Sequence, residues 1–157
     1  MKKSKFSLAR HDYEMESLVL STDKRILAHW AIDCTLRVLN FFEDEYPKDK
    51  RPRIALEVLQ AWINSWIFNM KTIRKASLDS HAAAREVWYD TPARSAARAA
   101  GHAVATVHVA RHAYGPAIYG QQAIFRASSP ADSEINVLNE RNWQFKRLLE
   151  LREEYKL

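Results

Sequence analysis

What is scarce in this chain narrows its class first. There is one cysteine, Cys34, so no disulfide forms within the chain and a disulfide-stapled fold is excluded. Three glycines and five prolines in 157 residues leave little material for tight hairpin turns. Runs of β-branched residues are also few, so composition favours helix over sheet. No apolar run reaches the roughly 20 residues that a membrane-spanning helix needs. The N-terminus, M-K-K-S-K-F-S-L-A-R, begins with lysines but lacks the apolar segment of a secretory signal. Together with the lone thiol, these absences predict a cytoplasmic protein. Catalytic signatures are missing as well: there is no G-x-S-x-G, Gly-rich phosphate loop, C-x-x-C or H-E-x-x-H. The expectation is a non-enzymatic protein without a cofactor.

What is present has the balance of an ordinary globule, 47% hydrophobic and 27% charged residues, in a length sufficient for one core. The net charge of +5 permits non-specific attraction to anions. The basic residues are dispersed and no helix-turn-helix spacing stands out, so a helical nucleic-acid binder is the weaker alternative. Periodicity predicts an all-α fold, a single-domain bundle of about six helices joined by short loops around a central alanine-rich helix. That helix is read from Thr91 to Ala113, with Thr91 as cap and Pro92 at its first position. From Ala99 to Ala110 no residue carries a formal charge, and a helix apolar nearly all round is enclosed by others.

Residues 1–22 show no helical period and read as an N-terminal arm, with Lys2, Lys3, Lys5 and Arg10 partly balanced by Asp12, Glu14 and Glu16; the helical domain spans 23–157. The first helix is expected over Asp23 to Glu43, burying Leu27, Ala31, Cys34 and Val38 and placing Asp33 to pair with His29 and Arg37. The loop after it is strongly charged, and Glu43, Asp44, Glu45, Lys48, Lys50, Arg51 and Arg53 are candidate partner contacts. The helix opened by Pro52 carries Trp62 and Trp66 one turn apart. Both fit a core, whereas an exposed Trp66 would mark an interface. A third helix turns Ile73, Ser77, His81, Ala84 and Trp88 inward, and Gly115-Pro116 breaks the central helix that follows it. A shorter helix runs from Pro116 to Arg126. The last, capped by Ser129, has Ile135, Leu138, Phe145 and Leu149 as its apolar stripe, with Glu140, Arg141, Lys146 and Arg147 facing water. The tryptophans and alanine-lined faces would serve a homodimer as readily as a monomer core.

On one continuous central helix His108 and His112 share a face, a spacing that can grip a metal ion. H-V-A-R-H lacks the glutamate of a metalloprotease helix, and a third ligand would come from His81, Asp79 or Cys34. One alternative is therefore a metal-binding protein or metal-dependent enzyme using His81, His102, His108 and His112 on the third and central helices. The other is structural: a histidine among alanines has two ring nitrogens to satisfy. His81 and His102 would then each bridge to a hydroxyl or backbone carbonyl of a neighbouring helix, with Arg85 paired to Asp33, Asp79 or Asp90. Cys34, on a core stripe, is expected to act as a small hydrophobe.

At His81-Ala82-Ala83-Ala84-Arg85 and Ala99-Ala100-Gly101-His102-Ala103, followed by Thr106, His108-Val109 and His112-Ala113, the chain resembles a family of all-helical bacterial immunity proteins associated with polymorphic-toxin systems. The resemblance covers roughly Asp23 to Ala127. It implies a non-catalytic role, in which the protein binds a cognate toxin and blocks it so that the producing cell survives. A chain at +5 suits an acidic toxin surface better than a basic nuclease, unless a local acidic patch such as Glu43-Asp44-Glu45 makes the contact.

Overall fold

A computed structural model describes residues 5–156; Lys2 and Lys3 of the expected arm lie outside the described residues. Among the described residues the fold is all-helical. It comprises α1 (Tyr13–Leu20), α2 (Lys24–Leu36), α3 (Leu39–Glu43), α4 (Arg51–Ser65), α5 (Met70–Glu86), α6 (Pro92–Ala105), a 3-10 turn (Ala110–Ala113), α7 (Tyr114–Ala127) and α8 (Ser133–Glu154).

There are thus eight α-helices where the periodicity predicts about six, and the two extra ones have local causes. Within residues 1–22, the Asp12 carboxylate accepts from the Met15 amide and opens α1, which buries Met15 and Val19. Arg141 of α8 holds Asp12 in place with bonds of 2.8 and 3.0 Å. The helix expected over 23–43 splits at Arg37-Val38, where Val38 leaves helical geometry at φ −122°. Arg37 reaches to α8, donates two bonds of 2.8 and 2.9 Å to the buried Glu140 and lies 3.9 Å over the Trp143 ring. Asp33 pairs with Arg147 at 2.8 Å instead of with His29 or Arg37.

The alanine-rich helix α6 packs against α2, α3, α4, α5 and α7. Its first half, Ala93, Ala96 and Ala97, joins a cluster with Val38, Phe42 and Val87, and its second half, Ala100, Ala103 and Val104, joins another with Leu27, Trp30 and Leu59. Small side chains bring α5 so close that the Ser77 and Ser80 hydroxyls donate to the Gly101 and Ala97 carbonyls at 2.9 and 2.8 Å. The helix is shorter than expected, ending at Ala105 and not at Ala113. Thr106, Val107 and Val109 are β-branched and poor helix formers. The amides of Thr106 and Val107 fold back onto the Ala103 and Val104 carbonyls in a tighter turn, and the Lys24 ammonium takes the Val107 carbonyl at 3.1 Å. Gly115 and Pro116 break nothing. They lie in the first turn of α7, where the missing proline N–H has no helical partner to lose.

Two further faces differ from the sequence pattern. In α8 the inward residues are Val137, Glu140, Gln144, Leu148 and Leu151, while Ile135 is 53% exposed and Leu138 and Leu149 also face solvent. Polar residues turn inward because partners wait for them. The Gln144 amide donates to the Ala117 carbonyl at 3.0 Å and accepts from Gln121 at 2.9 Å, and its backbone carbonyl accepts from the Trp30 indole at 2.8 Å. In α5 Ile73 and Ala84 are buried as expected and Ser77 and His81 lie half-buried against α6, but Ala76, Ser80 and Ala83 are buried too, and Trp88, beyond the helix end, is 78% exposed. Replacing Gln144 by Leu orphans the Gln121 side-chain amide and strips the Ala117 carbonyl of its interhelical bond. The expected cost is about 2 kcal/mol, read as a lower urea midpoint at unchanged slope.

Candidate partner-binding surface

Where α5, α6, the 3-10 turn and α7 meet, three histidine rings and a tyrosine pack together. The His81 ring stands edge-on to His102, centroids 4.8 Å apart, and His102 stacks between His112 at 6.0 Å and Tyr119 at 5.2 Å. Glycines make the room. A Cβ on Gly101 would come within 2.7 Å of His81 Nε2, and one on Gly115 within 2.6 Å of His102 Cβ. An Arg98 guanidinium nitrogen lies 3.3 Å from His81 Nδ1. Guanidinium only donates, so Nδ1 accepts and the neutral ring carries its proton on Nε2. Burial drives the pKa of His81 and of His102 down to about 4, with Arg98 adding to the effect at both and Arg85 at His81. His112 is lowered too, chiefly by burial.

The cluster thus unites His81, Gly101, His102 and His112, but through ring packing and Arg98 and not through the hydroxyl or carbonyl bridges expected of His81 and His102. His108 goes elsewhere. It lies past the end of α6, packs edge-on to Phe68 at 5.6 Å, and does not share a helix with His112. Among the described residues, no three His, Cys, Asp or Glu side chains are arranged to hold a metal ion. Stacked imidazoles direct their in-plane lone pairs side by side, whereas a ligand set must converge them on one point. Arg85 forms no ion pair with Asp33, Asp79 or Asp90; those carboxylates bind Arg147, Lys75 and Arg94. Cys34 is fully buried and its thiol pKa is raised well above the ordinary value by burial, as befits a core residue.

A run of exposed apolar side chains lies between α4 and α5. Trp66, 48% exposed, ends α4 in the left-handed region at φ 58°, a conformation usually left to Gly or Asn. It packs edge-on to Trp62 at 4.9 Å, with the Arg25 guanidinium over its ring. Ile67, Phe68 and Met70 follow, all exposed. Phe68, Met70, Arg74, Leu78, Val107 and His108 help to line a groove of about 620 Å³. Sequence reading anticipated that an exposed Trp66 marks an interface but missed Phe68 and Leu78. The available signal was the run W-I-F, apolar and without period just before the Asn69 cap.

The charged loop between α3 and α4 is partly closed on itself. Arg53 is bound to Glu43, and Arg51 to Asp49 and Glu86, leaving Asp44, Glu45, Lys48 and Lys50 as exposed charges.

A family model described as Imm-5 like putative immunity protein matches residues 17–151. The chain belongs to this family. The match reaches past the 23–127 resemblance into the end of α1 and along α8 to Leu151. No curated protein and no solved structure matches the chain.

Two expectations follow for this Imm-5 like chain. Gly115→Ala forces a methyl onto His102 and lowers stability by about 1–3 kcal/mol in urea unfolding. Because His81 and His102 titrate near 4 when folded and at the ordinary 6.5 when unfolded, the unfolded chain takes up more protons between those values. Their contribution to stability is complete above pH 6.5 and is lost as pH falls towards 4. Urea midpoints measured from pH 7 to pH 4.5 should decline, and His81→Asn should flatten the decline by up to one proton.

Proposed function

We propose that this chain neutralises a cognate bacterial toxin in the cytoplasm by stoichiometric, non-catalytic binding. The family match over residues 17–151 carries the reading. Support comes from the α4–α5 loop, since binding energy at protein interfaces concentrates in aromatic anchors seated among arginines. Trp66 and Phe68 are such anchors, exposed beside Lys24, Arg25 and Arg74. A left-handed tryptophan costs about 1–2 kcal/mol of backbone energy, a strain that makes sense at a working surface. Asp44, Glu45, Lys48 and Lys50 are proposed as rim contacts that add to encounter rate more than to affinity.

The test is co-expression with the toxin encoded beside the gene. Protection should require at least one copy per toxin, and the purified complex should have one-to-one mass by light scattering. Phe68→Ala should weaken the complex at least tenfold while changing folding stability by less than about 1 kcal/mol. Failure to protect against every neighbouring toxin would overturn the reading.

A further inference from the structure

We propose that the solvent-facing stripe of α5 bearing Met70, Arg74, Leu78, His81 and Arg85, with Phe68 at its end, docks an acidic amphipathic segment of the toxin. One apolar side chain of that segment enters between Phe68, Met70 and Leu78, and carboxylates meet Arg74 and Arg85. The inference rests on the toxin-binding reading and names the surface and the chemistry of the partner.

The stripe is a single face. At 3.6 residues per turn, Met70, Arg74, Leu78, His81 and Arg85 fall within an arc of roughly 80°. Met70, Arg74, Leu78 and Arg85 are exposed, while His81 is half-buried against Gly101 of α6. Its charges are unspent. Several arginines elsewhere are engaged by carboxylates, Arg37 by Glu140, Arg51 by Asp49 and Glu86, Arg147 by Asp33. Arg74 and Arg85 make no ion pair among the described residues. The two acids of the same helix lie round its other side, Asp79 held by Lys75 and Glu86 by Arg51. No carboxylate lines the groove at the Phe68 end. Between the guanidiniums lies His81, edge-on to His102, with the Arg98 guanidinium 3.3 Å from its Nδ1 adding a further cation beside the stripe.

Complementarity chooses the occupant. A cationic stripe without internal acids repels a second copy laid on the same stripe and attracts carboxylates. Nucleic acid fits less well: a duplex strand presents one phosphate about every 3.4 Å of axis. Arg74 and Arg85 are about 16 Å apart along the helix, with exposed leucine and methionine beside them. An amphipathic protein segment with spaced acids and an apolar residue matches that alternation.

The experiment is calorimetric titration of the full chain with the catalytically inactivated toxin encoded beside it. Arg74→Glu and Arg85→Glu should each weaken binding at least tenfold and Leu78→Asp more. Lys146→Glu on α8 should leave it unchanged, and circular dichroism should be native for all four. Wild-type affinity should fall at least tenfold between 0.05 and 0.5 M NaCl. If the wild type binds and the three α5 variants bind equally well, this surface is refuted and the toxin-binding reading stands. If the wild type does not bind, both fall. A dimer in light scattering that Leu78→Asp dissolves would show a second copy to be the occupant. A labelled 20-nucleotide DNA or RNA that competes with toxin and is lost on Arg74→Glu would show it to be nucleic acid; either result overturns the proposal.

Discussion

The closeness of α5 to α6 is the constraint on which the rest of this molecule depends. Alanines at 96, 97, 100 and 103 and glycine at 101 let neighbouring backbones approach, so that serine hydroxyls of α5 reach the carbonyls of α6. A helix this plain has little apolar bulk of its own, so larger side chains on α2, α3 and α4 fill the space around it: Trp30, Phe42, Leu59. The same closeness leaves His81 no space towards Gly101 and presses it against His102, which in turn requires a glycine at 115. The histidine cluster is thus a product of how α6 packs, and burial keeps its rings neutral near pH 7.

Much of this was legible in the sequence because apolar periodicity and helix punctuation are local. The start of α6 at Thr91-Pro92 and the burial of Leu27, Ala31, Cys34, Val38 and Trp62 follow from residues read within a turn or two. What was not legible depends on partners remote in sequence. Glu140 reads as solvent-facing until Arg37 is placed beside it, Gln144 gains its inward place from Trp30, Ala117 and Gln121, and with both turned inward Ile135 and Leu138 turn out. The end of α6 was masked by an uncharged run that looked continuous, although its β-branched residues and the distant Lys24 close the helix at Ala105. Splitting there separated His108 from His112 and removed the shared face on which a metal reading rested.

For the candidate surface, the balance was reversed. The charged loop at 43–53 drew attention in the sequence, yet half of its charges are satisfied within the fold. Trp66 fits a core helix on spacing alone, yet the chain leaves the helix there in a left-handed conformation, and Trp66 and Phe68 face solvent. Exposed aromatic side chains that a partner can desolvate are where binding energy is available, whereas internally paired surface ions have little to offer a partner.

The most direct measurement is hydrogen–deuterium exchange of the full chain, free and with its inactivated toxin. Binding at the α4–α5 edge predicts slower exchange concentrated in residues 66–85, with the α3–α4 loop changed little. Protection confined to residues 43–53 or to the outer face of α8, with 66–85 unaltered, would contradict the account.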